Sequence, residues 1–176
     1  MRIVGGKLKG RNLVSFKGED IRPTSDQARE SLFNILQFKI YGKKFLDLFS
    51  GTGAVGIEAY SRGASEVTLN DLSKDSVLVI KKNLSNIGNP KEISVTNQNA
   101  LTLLSNPPKL YDFIFIDPPY KSGLYNEVLS LCKNALAVDG IVILEAEDEL
   151  EILDNDFNVY DKRKYGRARF TFLKRS

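Results

Sequence analysis

Short apolar runs alternate with amphipathic stretches through the middle of the chain, from Lys44 to about residue 147. The runs are rich in Val, Ile, Leu and Phe with few polar interruptions, which is typical of strands buried on both faces. The stretches between them repeat apolar residues at helical spacing and tend to end at a glycine. The predicted strands are KFLDLF, EVTLND, EISVTN, YDFIFID and IVILEAE, and the predicted helices are AVGIEAYSRG, KDSVLVIKKNLSNIG, ALTLL and LYNEVLSLCKNALAVDG. Strands that alternate with helices predict a parallel sheet covered on both faces.

The two ends of the chain follow different patterns. The segment RIVGGKLKGRNLV predicts two short strands around a glycine turn, and RPTSDQARESLFNIL predicts a helix in which Thr24 and Gln27 form a capping box. At the other end, FNVYDKRKYGRARFTFLK predicts an antiparallel hairpin on the edge of the sheet. We therefore expect an α/β fold with a seven-stranded, mostly parallel sheet. Residues 1–40 form a β-hairpin and helix extension packed on a domain of residues 41–176, as one compact unit.

Composition limits the chemistry that this domain can perform. The 176 residues are 42% hydrophobic and 27% charged, and no apolar run approaches the ~18 residues of a membrane span. The N-terminus lacks a secretory signal pattern, so we expect a cytoplasmic protein. Cys132 is the only cysteine, and the chain contains no histidine. Without the commonest general base and metal ligand, we predict no metal site and a chemistry that uses carboxylates, backbone groups and a cofactor.

Positive charge is concentrated at the two ends of the chain. The net charge is +3, and the acidic segment EAEDELEILDND lies between two basic termini. Such charge runs are compatible with a solvated surface, but basic ends that flank a central site favour a polyanionic substrate such as nucleic acid. The candidate substrate-binding residues are Arg2, Lys7, Lys9, Arg11, Arg22 and Arg167.

A glycine-rich turn follows the first predicted strand. Residues 51–56, GTGAVG, match the G-x-G-x-x-G pattern that brings a nucleotide-type ligand close to a helix N-terminus, although a tight turn alone would also explain it. Asp47, just before the turn, would repel a pyrophosphate and attract the ammonium and sulfonium groups of S-adenosylmethionine. Asp71 is placed either to accept from a ribose diol or to cap the next helix, and Asn99 either to bind adenine or to cap. The candidate cofactor-binding residues are Asp47, Ser50, Gly51, Thr52, Gly53, Asp71, Leu72, Asn99 and Ala100.

The fourth predicted strand ends in DPPY, Asp117 to Tyr120. Ligands of open α/β sheets collect at the carboxyl ends of the strands, so we expect this segment to face the glycine turn. The carboxylate of Asp117 and the carbonyl of Pro118 would accept hydrogens from an exocyclic amine, Pro119 would hold the loop rigid, and Tyr120 would stack on the base. A simple surface turn is the alternative.

Five segments together carry a resemblance to a known family: MRIVGGKLKGRNL, IRPTSDQARESLFNIL, FLDLFSGTGAVGIEAYSRGA, FIFIDPPY and KYGRARFTFLKR. The chain resembles the RsmD family of bacterial 16S rRNA (guanine-N2)-methyltransferases, which are class I enzymes with a Rossmann-like fold. The resemblance implies methyl transfer from S-adenosylmethionine to guanine N2 in the small ribosomal subunit or its assembly intermediate. It also implies that residues 1–40 bind RNA, that residues 41–176 form the methyltransferase domain, and that Arg22, Thr24 and Asp26 lie beside the active site. The chain departs from the family pattern at Asp71, Ser73 and Gln27.

Three other functions remain open from the residues alone. An adenine-N6 methyltransferase of DNA or RNA would use the same DPPY segment. A nicotinamide-dependent oxidoreductase would use the glycine turn, although Asp47 and DPPY argue against it. A ribosome-assembly factor would bind without catalysing. We expect a monomer in each case.

Overall fold

The computed structural model describes residues 1–16, 24–119 and 123–176. Their strands are β1 (Lys44–Asp47), β2 (Glu66–Asn70), β3 (Ile93–Thr96), β4 (Tyr111–Ile116), β5 (Leu136–Ala146), β6 (Phe157–Tyr165) and β7 (Ala168–Arg175). Their α-helices are α1 (Asp26–Leu36), α2 (Ala54–Ser61), α3 (Lys74–Asn86), α4 (Ala100–Ser105) and α5 (Tyr125–Ala135). In these ranges no helix is both long and apolar enough to cross a membrane.

The strands form a seven-stranded sheet in the order β3-β2-β1-β4-β5-β7-β6. Strands β1 to β5 pair in parallel, whereas β7 pairs antiparallel to both β5 and β6. The predicted mostly parallel sheet with a C-terminal antiparallel hairpin is therefore confirmed. The boundary between α5 and β5 differs most from the prediction: α5 ends at Ala135 and β5 begins at once, whereas the sequence predicted helix up to Gly140.

Successive residues of the central strands pack on opposite faces of the sheet, as the pleat requires. Phe45, Phe113 and Phe115 belong to a buried cluster with α1, α2 and α3. Leu46 and Ile114 belong to a second cluster with α4 and α5. Both faces of these central strands are therefore covered by helices, which leaves the ends of the strands accessible to a ligand.

The N-terminal segment does not form the predicted pair of strands. A single antiparallel bridge joins Arg2 to Asn12, and a 3-10 turn occupies Gly6–Leu8. Backbone bonds still join its two arms, from Ile3 N to Arg11 O at 2.9 Å and from Leu13 N to Met1 O at 3.0 Å, and two further N–H groups bond to side chains of α2. Val4 N donates to Glu58 Oε2 at 2.9 Å and Leu8 N donates to Ser61 Oγ at 2.9 Å. These two bonds give the backbone N–H groups of Val4 and Leu8 acceptors on α2, so the extension packs along that helix.

The start of α1 also differs from the prediction. Ser25, not Thr24, is the N-cap, and its side chain accepts from Ala28 N at 3.1 Å. The Thr24 hydroxyl instead donates to Glu145 Oε2 at 2.6 Å, in a buried contact between α1 and β5. A buried carboxyl group needs a donor more than an exposed helix end does, because the helix end can bond to water. The capping box of Thr24 and Gln27 was therefore wrong.

Candidate active site

A cavity of about 1100 Å³ opens at the carboxyl ends of the parallel strands. The carboxyl groups that line it include one at or just past the end of each of the three neighbouring strands β1, β4 and β5: Asp47, Asp117 and Glu145. Asp47 pairs with Phe115 across β1 and β4, and Ile116 pairs with Leu144 across β4 and β5. Asp117 and Glu145 therefore occupy the next matched positions on two neighbouring strands.

The glycine turn forms the wall of the cavity next to β1. Gly51 and Gly53 have positive φ values of 53° and 80°, which side chains rarely adopt. Gly53 N donates to Ser50 O at 2.7 Å and closes the turn, and the Thr52 carbonyl accepts from the buried Asn83 at 2.9 Å. A Cβ added at Gly51 would meet no atom within 4 Å, so the backbone there faces open space.

Asp71 fixes this turn from the end of β2. Its Oδ2 accepts from Gly51 N at 2.8 Å and its Oδ1 accepts from Ser73 N at 2.8 Å. Ser73 is the N-cap of α3, so the alternative in which Asp71 caps that helix is wrong. Asn99 does cap the next helix, since its Oδ1 accepts from Leu101 N at 2.8 Å. Asp71 and Asn99 both line the cavity, as do the other residues of the predicted cofactor site except Gly53: Asp47, Ser50, Gly51, Thr52, Leu72 and Ala100.

Two asparagines that sequence reasoning missed hold these loops together. Asn70 Nδ2 donates to the carbonyls of Leu48 and Gln98, both at 3.1 Å, and so joins the loops after β1 and β3. Asn97 Nδ2 donates to the carbonyl of Asp71 at 2.8 Å. Each lies at or just after the end of a strand, and that position was the signal available in the sequence.

Burial makes the carboxyl cluster difficult to ionise. Burial raises the pKa of Asp47 to about 7, against the lowering effect of the Gly56 N–H bond. Burial also raises the pKa of Glu145 to about 7, while the Thr24 hydroxyl and Arg29 lower it. The pKa of Asp117 lies well above its usual range because of burial first, then the negative charges of Glu145 and Asp47. A cation bound in this cavity would therefore favour ionisation of all three groups.

The lining of the cavity distinguishes between classes of ligand. Asp47 and Asp71 flank the glycine turn, so a pyrophosphate there would meet two carboxylates. Arg167 is the one basic side chain among the described lining residues. Apolar side chains, including Val55, Leu72 and Leu101, complete the walls near α2 and α4. These residues fit a ligand with a positively charged end and a flat ring, such as S-adenosylmethionine, better than a dinucleotide.

The DPPY segment is described as far as Pro119. Pro118 is buried, Pro119 is exposed, and both line the cavity beside Asp117. Tyr120 lies outside the described residues, as does Arg22. Tyr125, the first residue of α5, lines the same wall and donates its hydroxyl to the backbone carbonyl of Glu145 at 2.7 Å.

The predicted substrate-binding residues are widely separated. Arg167 is exposed at the tip of the β6–β7 hairpin and lines the cavity. Arg2 lies near the start of α1, with its Nε 3.8 Å from Asp26 Oδ2. Lys7 lies over the ring of Tyr60 at 3.6 Å, with Lys9 just after the same 3-10 turn, and Arg11 donates to the carbonyl of Asn86. Tyr60 and Asn86 are at the C-terminal ends of α2 and α3, so these last three basic residues lie away from the cavity.

Comparison with known proteins gives a consistent assignment. The family model described as "Conserved hypothetical protein 95" matches residues 1–174. The chain belongs to this family. It is 38% identical over 167 residues to "Ribosomal RNA small subunit methyltransferase D" of Buchnera aphidicola subsp. Acyrthosiphon pisum, which covers 92% of this chain and 86% of that protein. It is 32% identical over 181 residues to the protein of the same name in Escherichia coli K12, covering 99% and 90%.

Solved structures support the fold of this family member. The yhhF structure from Escherichia coli is similar with a TM-score of 0.87 and 30% identity, over 99% of this chain and 97% of that one. The predicted class I methyltransferase fold, with its Rossmann-like sheet, is confirmed.

Two residues of the family member's site were not predicted to act together. Glu145 was placed in the last predicted strand and at the start of an acidic segment, with no role at the site. Thr24 was interpreted as a helix cap that, by the family resemblance, lies beside the active site, and it does line the cavity. The structure buries both and joins them at the cavity wall. The signal for Glu145 was its position at the end of a predicted strand, which is the argument that selected Asp47 and Asp117. Across residues 1–16, 24–119 and 123–176, no group of three acidic or cysteine side chains could hold a metal ion.

Proposed function

We propose that this protein is a cytoplasmic, monomeric methyltransferase that uses S-adenosylmethionine to methylate the exocyclic N2 of a guanine in 16S rRNA. The substrate is the small ribosomal subunit or its assembly intermediate. The observation that carries the proposal is the partly buried Asp117, which lies just past β4, across one cavity from the glycine turn that follows β1. The names of the Buchnera and Escherichia coli relatives support the choice of rRNA as substrate.

The cofactor-binding side of the cavity is formed by the ends of β1, β2 and β3. Asp47 offers negative charge to the cationic end of S-adenosylmethionine, Asp71 offers acceptors to its ribose, and Leu72 and Asn99 flank its adenine. When bound, S-adenosylmethionine supplies an electrophilic methyl group on a positively charged sulfur. Asp47 is 1% exposed, so its interaction with that charge is only weakly screened by water.

Asp117 and Pro118 prepare the amine for reaction. The lone pair of an exocyclic amine is delocalised into the ring, so the nitrogen is a poor nucleophile until its hydrogens are held out of the ring plane. Asp117 Oδ and the carbonyl of Pro118 accept those hydrogens, and proline fixes the direction of the carbonyl. As the N–C bond forms, the bond between the methyl group and the cofactor sulfur would break and a neutral thioether would leave, while the nitrogen becomes positive and loses a proton. Asp117 stabilises this charge and accepts the proton, for which a carboxylate of raised pKa is well suited.

The basic residues provide the electrostatic part of substrate binding. Arg167 at the cavity mouth neutralises a phosphate close to the target nucleotide, and the basic residues near the N-terminus, residues 2–11, extend the contact away from the site. Residues 1–40 thereby serve as an RNA-binding extension of the methyltransferase domain of residues 41–176.

Two experiments test this function. Mass spectrometry of rRNA from cells with and without the protein should show one methylguanosine of 16S rRNA missing in its absence. In vitro, Asp117→Ala should lower methyl transfer to small subunits by about a hundredfold or more, with cofactor binding by calorimetry retained. Asp139→Ala, an exposed aspartate at the opposite end of β5, is the matched control and should keep full activity. Full activity of Asp117→Ala would refute the role of Asp117, and methyl label found only on duplex DNA would refute the rRNA substrate.

A further inference from the structure

We propose that Glu145 is a specificity-determining residue that accepts the N1–H of guanine while Asp117 accepts from N2. The two carboxyl groups then select guanine over adenine. This inference rests on the proposed function, because it concerns the base that enters the same cavity. It adds a site residue that lies in none of the sequence motifs. It also explains how the enzyme chooses between guanine N2 and adenine N6, which the DPPY segment alone does not decide.

The sheet register places the two acceptors side by side. Ile116, the last residue of β4, pairs with Leu144 of β5, so Asp117 just past β4 follows beside Glu145 of β5, and neighbouring strands are about 5 Å apart. Glu145 follows Ile143 in the pleat alternation of β5, so its side chain projects toward the sheet face that α1 covers, where it meets the Thr24 hydroxyl. Asp117 and Glu145 both line the cavity.

The hydrogen-bonding edge of the base matches this pair of acceptors. Guanine presents two adjacent donors, N1–H and the N2 amine, and an ionised carboxyl group is an acceptor only. Adenine presents its N6 amine beside N1, which is an acceptor. If adenine entered in the same orientation, a lone pair of the Glu145 carboxylate would therefore face the lone pair of adenine N1, and the two would repel. Repulsion of the wrong base contributes to specificity as much as attraction of the right one.

Contacts from three elements hold Glu145 ready for this role. The Thr24 hydroxyl, just before α1, donates to its Oε2 at 2.6 Å, and the Tyr125 hydroxyl of α5 donates to its backbone carbonyl at 2.7 Å. Arg29 of α1 lowers the pKa of Glu145 against the larger effect of burial. Asp117 has only raising influences on its pKa, from burial, Glu145 and Asp47. Of these two carboxyl groups, Glu145 is therefore the one whose ionised form is stabilised by neighbouring side chains.

The test compares two bases at one position. Small subunits are reconstituted with 16S rRNA that carries either guanine or 2-aminopurine at the methylated position. 2-Aminopurine keeps the N2 amine but has an acceptor at N1. The wild type should favour guanine by about tenfold or more in kcat/KM. Glu145→Gln replaces one carboxylate oxygen by an N–H donor, so the preference should fall by about tenfold or more, with 2-aminopurine gaining relative to guanine.

A second pair of variants keeps the test decisive if Glu145→Gln does not fold. Thr24→Val removes the hydroxyl that orients Glu145 and should reduce the preference for guanine, whereas Thr24→Ser retains the donor and should restore it. Melting curves and cofactor binding serve as checks on folding for every variant.

The outcomes separate this inference from the function on which it rests. If the wild type methylates guanine, and Glu145→Gln lowers kcat/KM for guanine and for 2-aminopurine by the same factor, Glu145 has only a structural role and the inference is overturned. An unchanged preference in Thr24→Val would likewise overturn the positioning role of Thr24. If the wild type methylates no guanine of the small subunit, the proposed function itself has failed.

Discussion

At the scale of single residues, the most unusual feature is the cluster of Asp47, Asp117 and Glu145, in which Asp47 and Glu145 are buried and Asp117 is partly buried. Carboxyl groups are seldom buried without a cation or several donors, because loss of hydration opposes ionisation. Here Asp47 has the N–H of Gly56 at 3.0 Å and Glu145 has the hydroxyl of Thr24. A site built in this way favours a cationic ligand and is least stable when empty and fully ionised.

This arrangement predicts that the ligand-free protein loses stability as the pH rises. The pKa of Asp47 rises from 3.8 to about 7 on folding, and that of Glu145 from 4.5 to about 7. The folded state therefore binds more protons than the unfolded chain between about pH 4 and pH 7, and stability falls with increasing pH across this window. A tenfold change in a proton-binding constant on folding corresponds to about 1.4 kcal/mol, so the combined effect should reach a few kcal/mol.

Urea unfolding between about pH 5 and pH 8 measures this effect, with Asp47→Asn as the informative variant. The amide oxygen of the substituted side chain can still accept from Gly56 N, so the change removes the titration and keeps the hydrogen bond. The slope of stability against pH should become shallower, while the exposed control Asp139→Asn should keep the wild-type slope. Glu66 and Glu149 have lowered pKa values and oppose the trend, but both are surface groups with a small effect. Stability that rises from pH 5 to pH 8 would contradict the prediction.

At the scale of elements, a buried arginine joins the N-terminal segment, α1 and α2. Arg29 is fully buried and donates to the carbonyls of Arg2 and Thr24, and to Asp26 Oδ1 at 2.9 Å. Its Nε lies 3.7 Å from Glu58 Oε2, on a buried residue that also accepts from Val4 N. This network fastens the extension to α1 and α2, in addition to the backbone bonds between its own two arms.

Removal of Arg29 should therefore loosen the whole N-terminal region. Arg29→Met leaves Glu58 buried with less positive charge nearby, and we expect a loss of about 3 kcal/mol in unfolding free energy. Arg29→Met combined with Glu58→Gln should cost less than the sum of the two single changes, since the partners interact. Arg11→Met, an exposed change in the same segment, should stay within about 0.5 kcal/mol. Strict additivity in denaturant unfolding would show that the pair is not coupled.

The elements that the sequence predicted well are those with a local signal. Apolar runs and glycine stops predicted β1 to β5 and α2 to α5 because burial on both sheet faces leaves a pattern in each segment. The contacts that were missed join residues far apart in sequence. Val4 bonds to Glu58 across 54 positions and Thr24 to Glu145 across 121, and nothing near either residue indicates its partner. Glu145 joined the site only when the register of β4 and β5 was known.

At the scale of the whole molecule, charge is arranged around an acidic cavity. The cavity carries carboxyl groups, whereas Arg167 lies at its mouth and Lys7 and Arg11 lie along the face toward the opposite ends of the strands. The net charge of +3 is modest, so RNA affinity depends on where the basic residues lie. An RNA that reached all of them would cross the face carrying the N-terminal segment, with its target base at the cavity.

Salt dependence tests whether Arg167 is part of that RNA path. Each phosphate neutralised on a single strand contributes about 0.7 to the slope of log affinity against log salt. Arg167→Ala should therefore lower the slope for binding to small subunits by about that amount and weaken binding most at low salt. Lys91→Ala removes an equal charge just before β3, at the opposite end of the strands from the cavity, and should leave the slope unchanged. Because both variants change the net charge equally, a difference between their salt-dependence slopes would come from the positions of the two residues. Equal slopes for Arg167→Ala and the wild type would place the RNA elsewhere on the surface.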